Sequence, residues 1–389
     1  MHSLLLEKGN TTLSEENIGT KYIENLKFLS SKFDPREISI ISTDYNRTIM
    51  SAYSEINGWY PMGLVQQIRS AEKRQAVPPF SVTNLTSILK DLKKNPTPSA
   101  FQPMPIHVGQ GSIDNILRAQ SASVCPVVKK FQALARKEAG FSERNKVYKD
   151  NIFKAISENW GIKNNNDFIS VSPYTDGFDT SFFDDRLIEK YTLPIEYVDR
   201  ILADKFYFYT FFFDEMVRIA STHFLNFLYS TFDAKIKAIT TKNDDGSGMK
   251  RKKLIFISAH DSSIAAFLSG IEQKQMYQSF FATHNMIELW KNKGTLGNSD
   301  EDYYVKWLYN DVALNINNDC DEGKCPYVLF KEFLKSREYQ GEDWEKDCLN
   351  ISESWTGPWL LVAGIAAGVF ICGTISYFVI KRIFISPKN

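Results

Sequence analysis

Nothing in this 389-residue sequence draws it toward a polyanion as a whole, because lysine and arginine together number 46 and so do aspartate and glutamate. A balanced chain lacks the broad basic field that steers proteins to phosphate backbones, so no nucleic-acid partner is expected. Glycine (20) and proline (14) are too few for a collagen-like or low-complexity chain, and no internal repeat appears. Cysteine is limited to five residues, and Cys320-x4-Cys325 has no second close pair of Cys or His ligands beside it. A zinc site, or any other metal or cofactor, is therefore not expected. The start, Met1-His2-Ser3-Leu4-Leu5-Leu6-Glu7-Lys8, holds only a three-leucine apolar stretch, too short for the core of a signal peptide. Histidine is also scarce, and its five positions are His2, His107, His223, His260 and His284.

What is present begins with a length of 389 residues, which allows two or three structural units at roughly 150 residues each, and an apolar content of 43%, ordinary for a globular protein. Residues 359–380 form a run of 22 without a charge, which as a helix at 1.5 Å per residue spans a hydrocarbon core of about 30 Å. Trp359 and Tyr377 stand near its two ends, and Lys381, Arg382 and Lys388 follow. The positive-inside rule places residues 381–389 in the cytoplasm and the residues before Trp355 on the luminal or extracellular side, a single-pass type I arrangement. That nine-residue tail contains no tyrosine to form a tyrosine-based sorting signal. Four cysteines precede the span (Cys125, Cys320, Cys325, Cys348), enough for two disulfides in an oxidising compartment. Sequons at Asn10, Asn84 and Asn350 fit the same side of the membrane.

Thr12 and Glu15 make a capping box, after which Ile18, Tyr22, Leu26 and Leu29 recur at helical spacing up to Asp34-Pro35. Residues 38–41 read as a buried strand, followed by Ser42-Thr43-Asp44 and a helix from Asn46 to about Ile56. The same grammar returns at 254–257, a strand that runs into Ser258-Ala259-His260-Asp261 and a helix over 262–268. In open α/β sheets ligands bind beyond the carboxyl ends of the strands, where free helix N–H groups favour anions. The two turns are thus expected walls of one anion site, and His260 is the only histidine abutting an acid at a strand end. Between them, 110–240 reads as a helical insertion, with one helix over 205–239 that sets Phe224, Phe227, Leu228 and Phe232 on one face. The run Lys250-Arg251-Lys252-Lys253 lies in a loop and is expected to do nothing catalytic.

The residues also carry a resemblance. Ser42-Thr43-Asp44-Tyr45-Asn46-Arg47-Thr48-Ile49-Met50-Ser51-Ala52 resembles the S-T-D-x-x-R-T-x-x-S-A segment of the histidine acid phosphatases, and Ser258-Ala259-His260-Asp261-Ser262-Ser263 their S-A-H-D-x-T segment. Gln102-Pro103-Met104-Pro105-Ile106-His107, Cys125-Pro126, Glu288-Leu289, Cys325-Pro326, Asp343-Trp344 and Cys348 agree in the same order. The match spans most of 38–348, within the lysosomal and prostatic branch of that family.

The resemblance implies an α/β fold: a phosphoglycerate-mutase-like sheet flanked by helices, with a helical cap and, in this chain, a C-terminal transmembrane helix. Residues 1–109 and 241–354 would then be the two parts of the α/β domain, 110–240 the cap, 355–380 the membrane helix and 381–389 the tail. The implied reaction is hydrolysis of phosphate monoesters through a phosphohistidine. Arg47 would grip the phosphoryl oxygens with its planar fork, His260 would hydrogen-bond them, and Asp261 would protonate the leaving alkoxide. His107 would lie near the pocket without a chemical role. The resemblance also implies disulfides Cys125–Cys348 and Cys320–Cys325, and a homodimer. Asn46-Arg47-Thr48 is formally a sequon, but a glycan there would block the clamp, so it is expected to be unmodified. The family's nucleophile lies in an R-H-G-x-R-x-P motif upstream of S-T-D, and no R-H-G occurs in these 389 residues. The sequence is therefore expected to start downstream of the full protein's start and, as given, to bind phosphate without forming a phosphoenzyme. The alternative is a catalytically inactive, membrane-tethered binding or receptor ectodomain.

Overall fold

A computed structural model describes residues 19–349, apart from 66, 74, 76, 78, 92–94, 96, 98–99, 110, 112, 164–165, 185, 187–192, 242–247, 274–278, 280, 298, 317–319 and 322. The proposed membrane span 359–380, the capping box of Thr12 and Glu15, and the sequons at Asn10 and Asn350 all lie outside the described residues. Among the described residues no helix is long and apolar enough to cross a membrane.

The first sheet decides where chemistry can occur. Strand β1 (Ile38–Ser42) alternates buried and half-buried positions, with Ile38, Ile40 and Ser42 turned inward. Its β-branched residues suit a pleated surface, and each isoleucine taken from water contributes roughly 1.5–3 kcal/mol. The helix Asn46–Trp59 lays Ala52, Ile56 and Trp59 over this core, which Tyr60, Met104 and Leu29 complete. Strand β2 (Ile106–Val108) pairs in parallel with one side of β1, and strand β3 (Leu254–Ser258) in parallel with the other. Phe256 on β3 meets Trp59 edge to face, with ring centroids 5.3 Å apart.

Register then aligns the strand ends. Ile38 pairs with Leu254 and the match continues residue by residue to Ser42 with Ser258. Because the strands are parallel and end in step, both strand-to-helix turns leave the sheet side by side. The Thr43 amide donates to the Ser258 carbonyl (3.2 Å), extending the ladder into the turns. On the other side Val108 pairs with Ser42, which brings the loop at Gly109 to the same edge.

Parallel strands need long crossovers, and the one between β2 and β3 is helical from Val128–Ala135 to Asp214–Thr240. The single helix expected over 205–239 is divided. The helix Ile195–Phe206 runs into a wider turn at Tyr207–Phe211, and the next helix starts at Asp214 after an extended Phe213. Aromatic packing accounts for the break: Phe208 stacks on Phe212 at 5.4 Å, while Phe213 turns back to Phe131 at 5.7 Å. Residues 214–240 then form one helix whose Phe224, Phe227, Leu228 and Phe232 join the same apolar core.

A second, antiparallel sheet joins β4 (Asn285–Lys291), β5 (Tyr303–Tyr309) and β6 (Val312–Ala313), with β7 (Cys325–Pro326) also on β5. Two disulfides staple the fold, Cys125–Cys348 and Cys320–Cys325, in the pairing the resemblance implied. The first ties the segment before the helix Val128–Ala135 to the helix Trp344–Leu349, where the Val127 amide also donates to the Cys348 carbonyl at 2.9 Å.

Candidate active site

Both turns that leave the parallel sheet begin helices, and each presents a cation or an imidazole at its start. Arg47 is in the first turn of the helix Asn46–Trp59, which has no acidic residue there to balance it. A positive charge at the positive end of a helix dipole is unfavourable unless an anion joins it. His260 stands at the N-cap of the helix Asp261–Gly270 in extended conformation, and its carbonyl accepts from the Ser263 and Ile264 amides. Asp261 opens that helix, its Oδ1 accepting from the Ser262 amide at 2.7 Å.

The imidazole is fixed at both nitrogens. Arg47 Nη2 lies 3.2 Å from His260 Nδ1, and since a guanidinium can only donate, Nδ1 accepts and the ring proton sits on Nε2. Nε2 then donates to Thr43 Oγ1 at 3.0 Å. Thr43 Oγ1 is in turn 2.9 Å from Thr48 Oγ1, a buried hydroxyl that also reaches the Tyr45 carbonyl. This relay joins β1, the first helix and His260 across the sheet. Burial first, then the charges of Arg47 and Arg118, push the His260 pKa down to about 4. The ring is therefore neutral in the anion-free site over most of the acidic range.

Arg118 is a member of the cluster that sequence reasoning missed. It is 8% exposed, donates from Nη2 to the Tyr45 hydroxyl (2.9 Å) and to Ser123 Oγ (3.1 Å), and bonds the Gly111 carbonyl. Tyr45 lies between the two guanidinium groups, with Arg47 4.4 Å and Arg118 4.8 Å from its ring centroid. Its ring also meets His260 edge to face at 5.0 Å. Gln120, missed as well, reaches from the same segment to Ser262 Oγ (3.3 Å) and Ser263 Oγ (3.1 Å). No local pattern marks Arg118 or Gln120, because the partners that bring them into the cluster, Tyr45 and Ser262, are 73 and 142 residues away in sequence.

Two carboxyl groups border the cluster. Asp114 is half-buried beside Gly109, and burial raises its pKa despite the Leu117 amide and Arg118. Asp176, on the helix Phe168–Phe183, is desolvated by its surroundings, and its pKa rises against Lys205 and Arg47, with Asp261 adding to the rise. His107 is exposed on β2 opposite Ile41 and makes no hydrogen bond to Arg47 or His260.

Two permanent cations and a neutral imidazole thus converge at the carboxyl ends of β1 and β3, beside the starts of two helices. The histidine phosphatase superfamily (branch 2) model matches residues 12–310, which includes both turns. The chain belongs to that family. The curated relatives of this histidine phosphatase include the lysosomal acid phosphatase of Xenopus laevis, 24% identical over 330 residues, which cover 84% of this chain and 66% of that protein. The rat lysosomal acid phosphatase is 20% identical over 359 residues, covering 91% and 73%. The chain thus spans just under two thirds of the Xenopus protein's length. Among solved structures it is similar to the phytase of Citrobacter braakii (TM-score 0.49, 12% identity, 83% of each chain). A Klebsiella phytase is similar too (TM-score 0.49, 10% identity, 86% of this chain and 84% of that one).

Proposed function

We propose that this histidine phosphatase is an acid phosphatase of the phosphohistidine type, and that Arg47, His260 and Asp261 handle a phosphate monoester at the ends of β1 and β3. The observation that carries the reading is the contact between Arg47 and His260, two residues 213 apart in sequence joined at 3.2 Å above two aligned strand ends. A phosphoryl group entering there would draw the Arg47 fork onto its oxygens, as a bidentate donor prefers. Arg118, held by three acceptors and stacked on Tyr45, supplies a second positive charge that costs no reorganisation on binding.

When Arg47 turns to the phosphoryl group, His260 Nδ1 loses its donor and gains an anion. The imidazole then takes a proton and donates to a phosphoryl oxygen. Asp261, next in sequence and at the helix N-terminus, is positioned to protonate the leaving alkoxide, which ties turnover to acidic pH. Turnover requires a nucleophilic histidine in addition, which the family carries in its R-H-G-x-R-x-P segment. The residues in hand perform binding, charge stabilisation and leaving-group protonation.

The names of the relatives and the uncharged run 359–380 support a luminal, lysosome-type location with a single type I anchor and residues 381–389 in the cytoplasm. The partners on this reading are a phosphate monoester and a second copy of the chain. The test is hydrolysis of 4-nitrophenyl phosphate at pH 5 by a form of the protein that carries the R-H-G-x-R-x-P segment, with alkaline quenching to trap a phosphoenzyme, whose P–N bond acid would cleave. Turnover lost in Arg47→Ala and His260→Ala supports the phosphatase. Phosphate binding without turnover or phosphoenzyme in that form supports the binding-ectodomain alternative, and no binding at all contradicts both.

A further inference from the structure

The helical cap brings to the phosphate site one carboxyl that the reaction described above does not use. On the helix Phe168–Phe183, Phe168, Val171 and Phe178 share a core with Val198, Ile201 and Leu202 of the helix Ile195–Phe206. That second helix ends against the sheet domain, where Phe206 packs on Ala265. Ala265 lies four residues after Asp261 in the helix Asp261–Gly270, so the two share one helical face. These contacts set the cap helices beside the acid that would protonate the leaving group. Asp176 stands one turn after the buried Ser172, at the border of the packed face of its helix. Its neighbours Pro173, Tyr174 and Gly177 are exposed, and nothing lies within 4 Å of a Cβ built on Gly177.

Asp176 is itself exposed, yet its carboxyl bears a desolvation penalty that outweighs the cations near it. A group that water reaches but that protein surrounds lines a cleft. Its charge acts on Lys205 of the adjacent cap helix and, across the cleft, on Asp261 and Arg47. Among the described residues its side chain has no hydrogen bond and no ion pair. We propose that Asp176 is a specificity-determining residue of the phosphate site, a cap carboxylate that receives the ammonium group of an amino-alcohol phosphate.

The inference rests on the reading of Arg47, His260 and Asp261 given above and names the substrate class of that same site. With the phosphoryl group between Arg47 and His260, the ester oxygen faces Asp261. The carbon frame of the alcohol then leads away from the phosphoryl group, past Asp261, to the side where Asp176 stands. A carboxylate there attracts an ammonium group and repels a carboxylate, and its partly desolvated setting strengthens both effects over those in water. A bound ammonium would also offset the repulsion between Asp176 and Asp261, which adds to the rise of the Asp176 pKa. Lys205 opposes this preference, but it makes no ion pair with Asp176, and its Nζ lies 5.7 Å from the centroid of the Phe206 ring.

Three phosphate monoesters of similar size separate the charge of the alcohol from everything else: phosphoethanolamine (cationic), ethyl phosphate (neutral) and phosphoglycolate (anionic). Each is titrated calorimetrically into the full chain at pH 6, a binding assay that needs no nucleophile. The unaltered protein is expected to bind phosphoethanolamine at least fivefold more tightly than ethyl phosphate, and phosphoglycolate at least fivefold more weakly. In Asp176→Asn the three dissociation constants are expected to fall within twofold of one another, and Asp176→Glu should restore at least a threefold preference for the ammonium ester. Lys205→Gln, which removes the opposing cation, should widen that preference about threefold and keeps the proposal testable if Asp176→Asn does not fold. Equal affinity for the three esters in the unaltered protein, a preference for phosphoglycolate, or an ammonium preference that survives in Asp176→Asn would overturn the proposal while leaving the phosphate site in place. Binding of none of the three, or binding indifferent to Arg47→Ala, would sink the underlying reading and this inference with it.

Discussion

The neutral state of His260 makes phosphate affinity depend on protons in a way that can be calculated. In the anion-free site Arg47 donates into Nδ1, and burial with two guanidinium charges holds the ring pKa at about 4. At pH 5 roughly one ring in ten is protonated; at pH 6, one in a hundred. A bound phosphate reverses the field at Nδ1 and favours the charged ring. If the complex holds the proton up to at least the ordinary histidine value, log affinity falls by about one for each pH unit between 4 and 6.5. The dissociation constant for inorganic phosphate should therefore rise about 30-fold from pH 4.5 to pH 6, measured by calorimetry in two buffers of different ionisation enthalpy. Proton uptake near 0.9 per phosphate is expected at pH 5. His260→Asn, which keeps a similar shape without the titration, should flatten the profile. A flat profile for the unaltered protein, or an uptake near zero, would refute the assignment of His260 as the proton-linked phosphate ligand. Stability carries the same sign. The folded pKa is depressed below the unfolded value, so the unfolded chain binds the extra proton as pH falls from 6.5 to 4, and stability present above pH 6.5 is lost across that window by about 2–3 kcal/mol. Saturating phosphate should restore part of it.

Three further outcomes follow from the contacts. Tyr45→Phe removes only the hydroxyl that accepts from Arg118 and should weaken phosphate binding less than threefold, whereas Tyr45→Ala frees both guanidinium groups and should weaken it ten- to thirtyfold, as read by calorimetry. Replacing Cys125 and Cys348 together by alanine opens a loop of 223 residues and should lower unfolding stability by about 3–5 kcal/mol in chemical denaturation. In a protein that turns over, Asp261→Asn should slow esters with poor leaving groups far more than 4-nitrophenyl phosphate, and equal losses on both would remove Asp261 from the role of acid.

How much of this could be read from the chain varies with the range of the interaction. Residues 38–42 and 254–258 announce themselves because β-branched and aromatic residues precede polar capping residues, and those local rules position Arg47 and His260 at strand ends. Their meeting depends on the parallel register of β1 with β3, which no spacing within either segment encodes. Arg118 shows the limit more sharply: it is buried against Gly111, Tyr45 and Ser123, and nothing in its own neighbourhood distinguishes it from a surface arginine. The helix expected over 205–239 fails at Phe212 and Phe213 for the same reason, since helical periodicity continues through them while tertiary aromatic contacts do not. The agreement at Asp343-Trp344 proves to be packing, with Trp344 Nε1 donating to the Ile219 carbonyl at 3.0 Å and its ring 4.2 Å from that of His223. The basic run 250–253 is an exposed loop, as its composition suggests, and its anchoring by Lys235 and by the Pro35 carbonyl depends on partners distant in sequence.

The most direct test of the account is the affinity of inorganic phosphate at pH 5 for the unaltered protein, Arg47→Ala and Arg118→Ala, with Arg69→Ala as a control at an exposed arginine paired with Glu72. The account requires binding that falls at least 50-fold in Arg47→Ala and at least tenfold in the Arg118 variant, while Arg69→Ala leaves it within twofold. Affinity in Arg47→Ala within threefold of the unaltered protein would contradict it, because no phosphate could then be seated between Arg47 and His260.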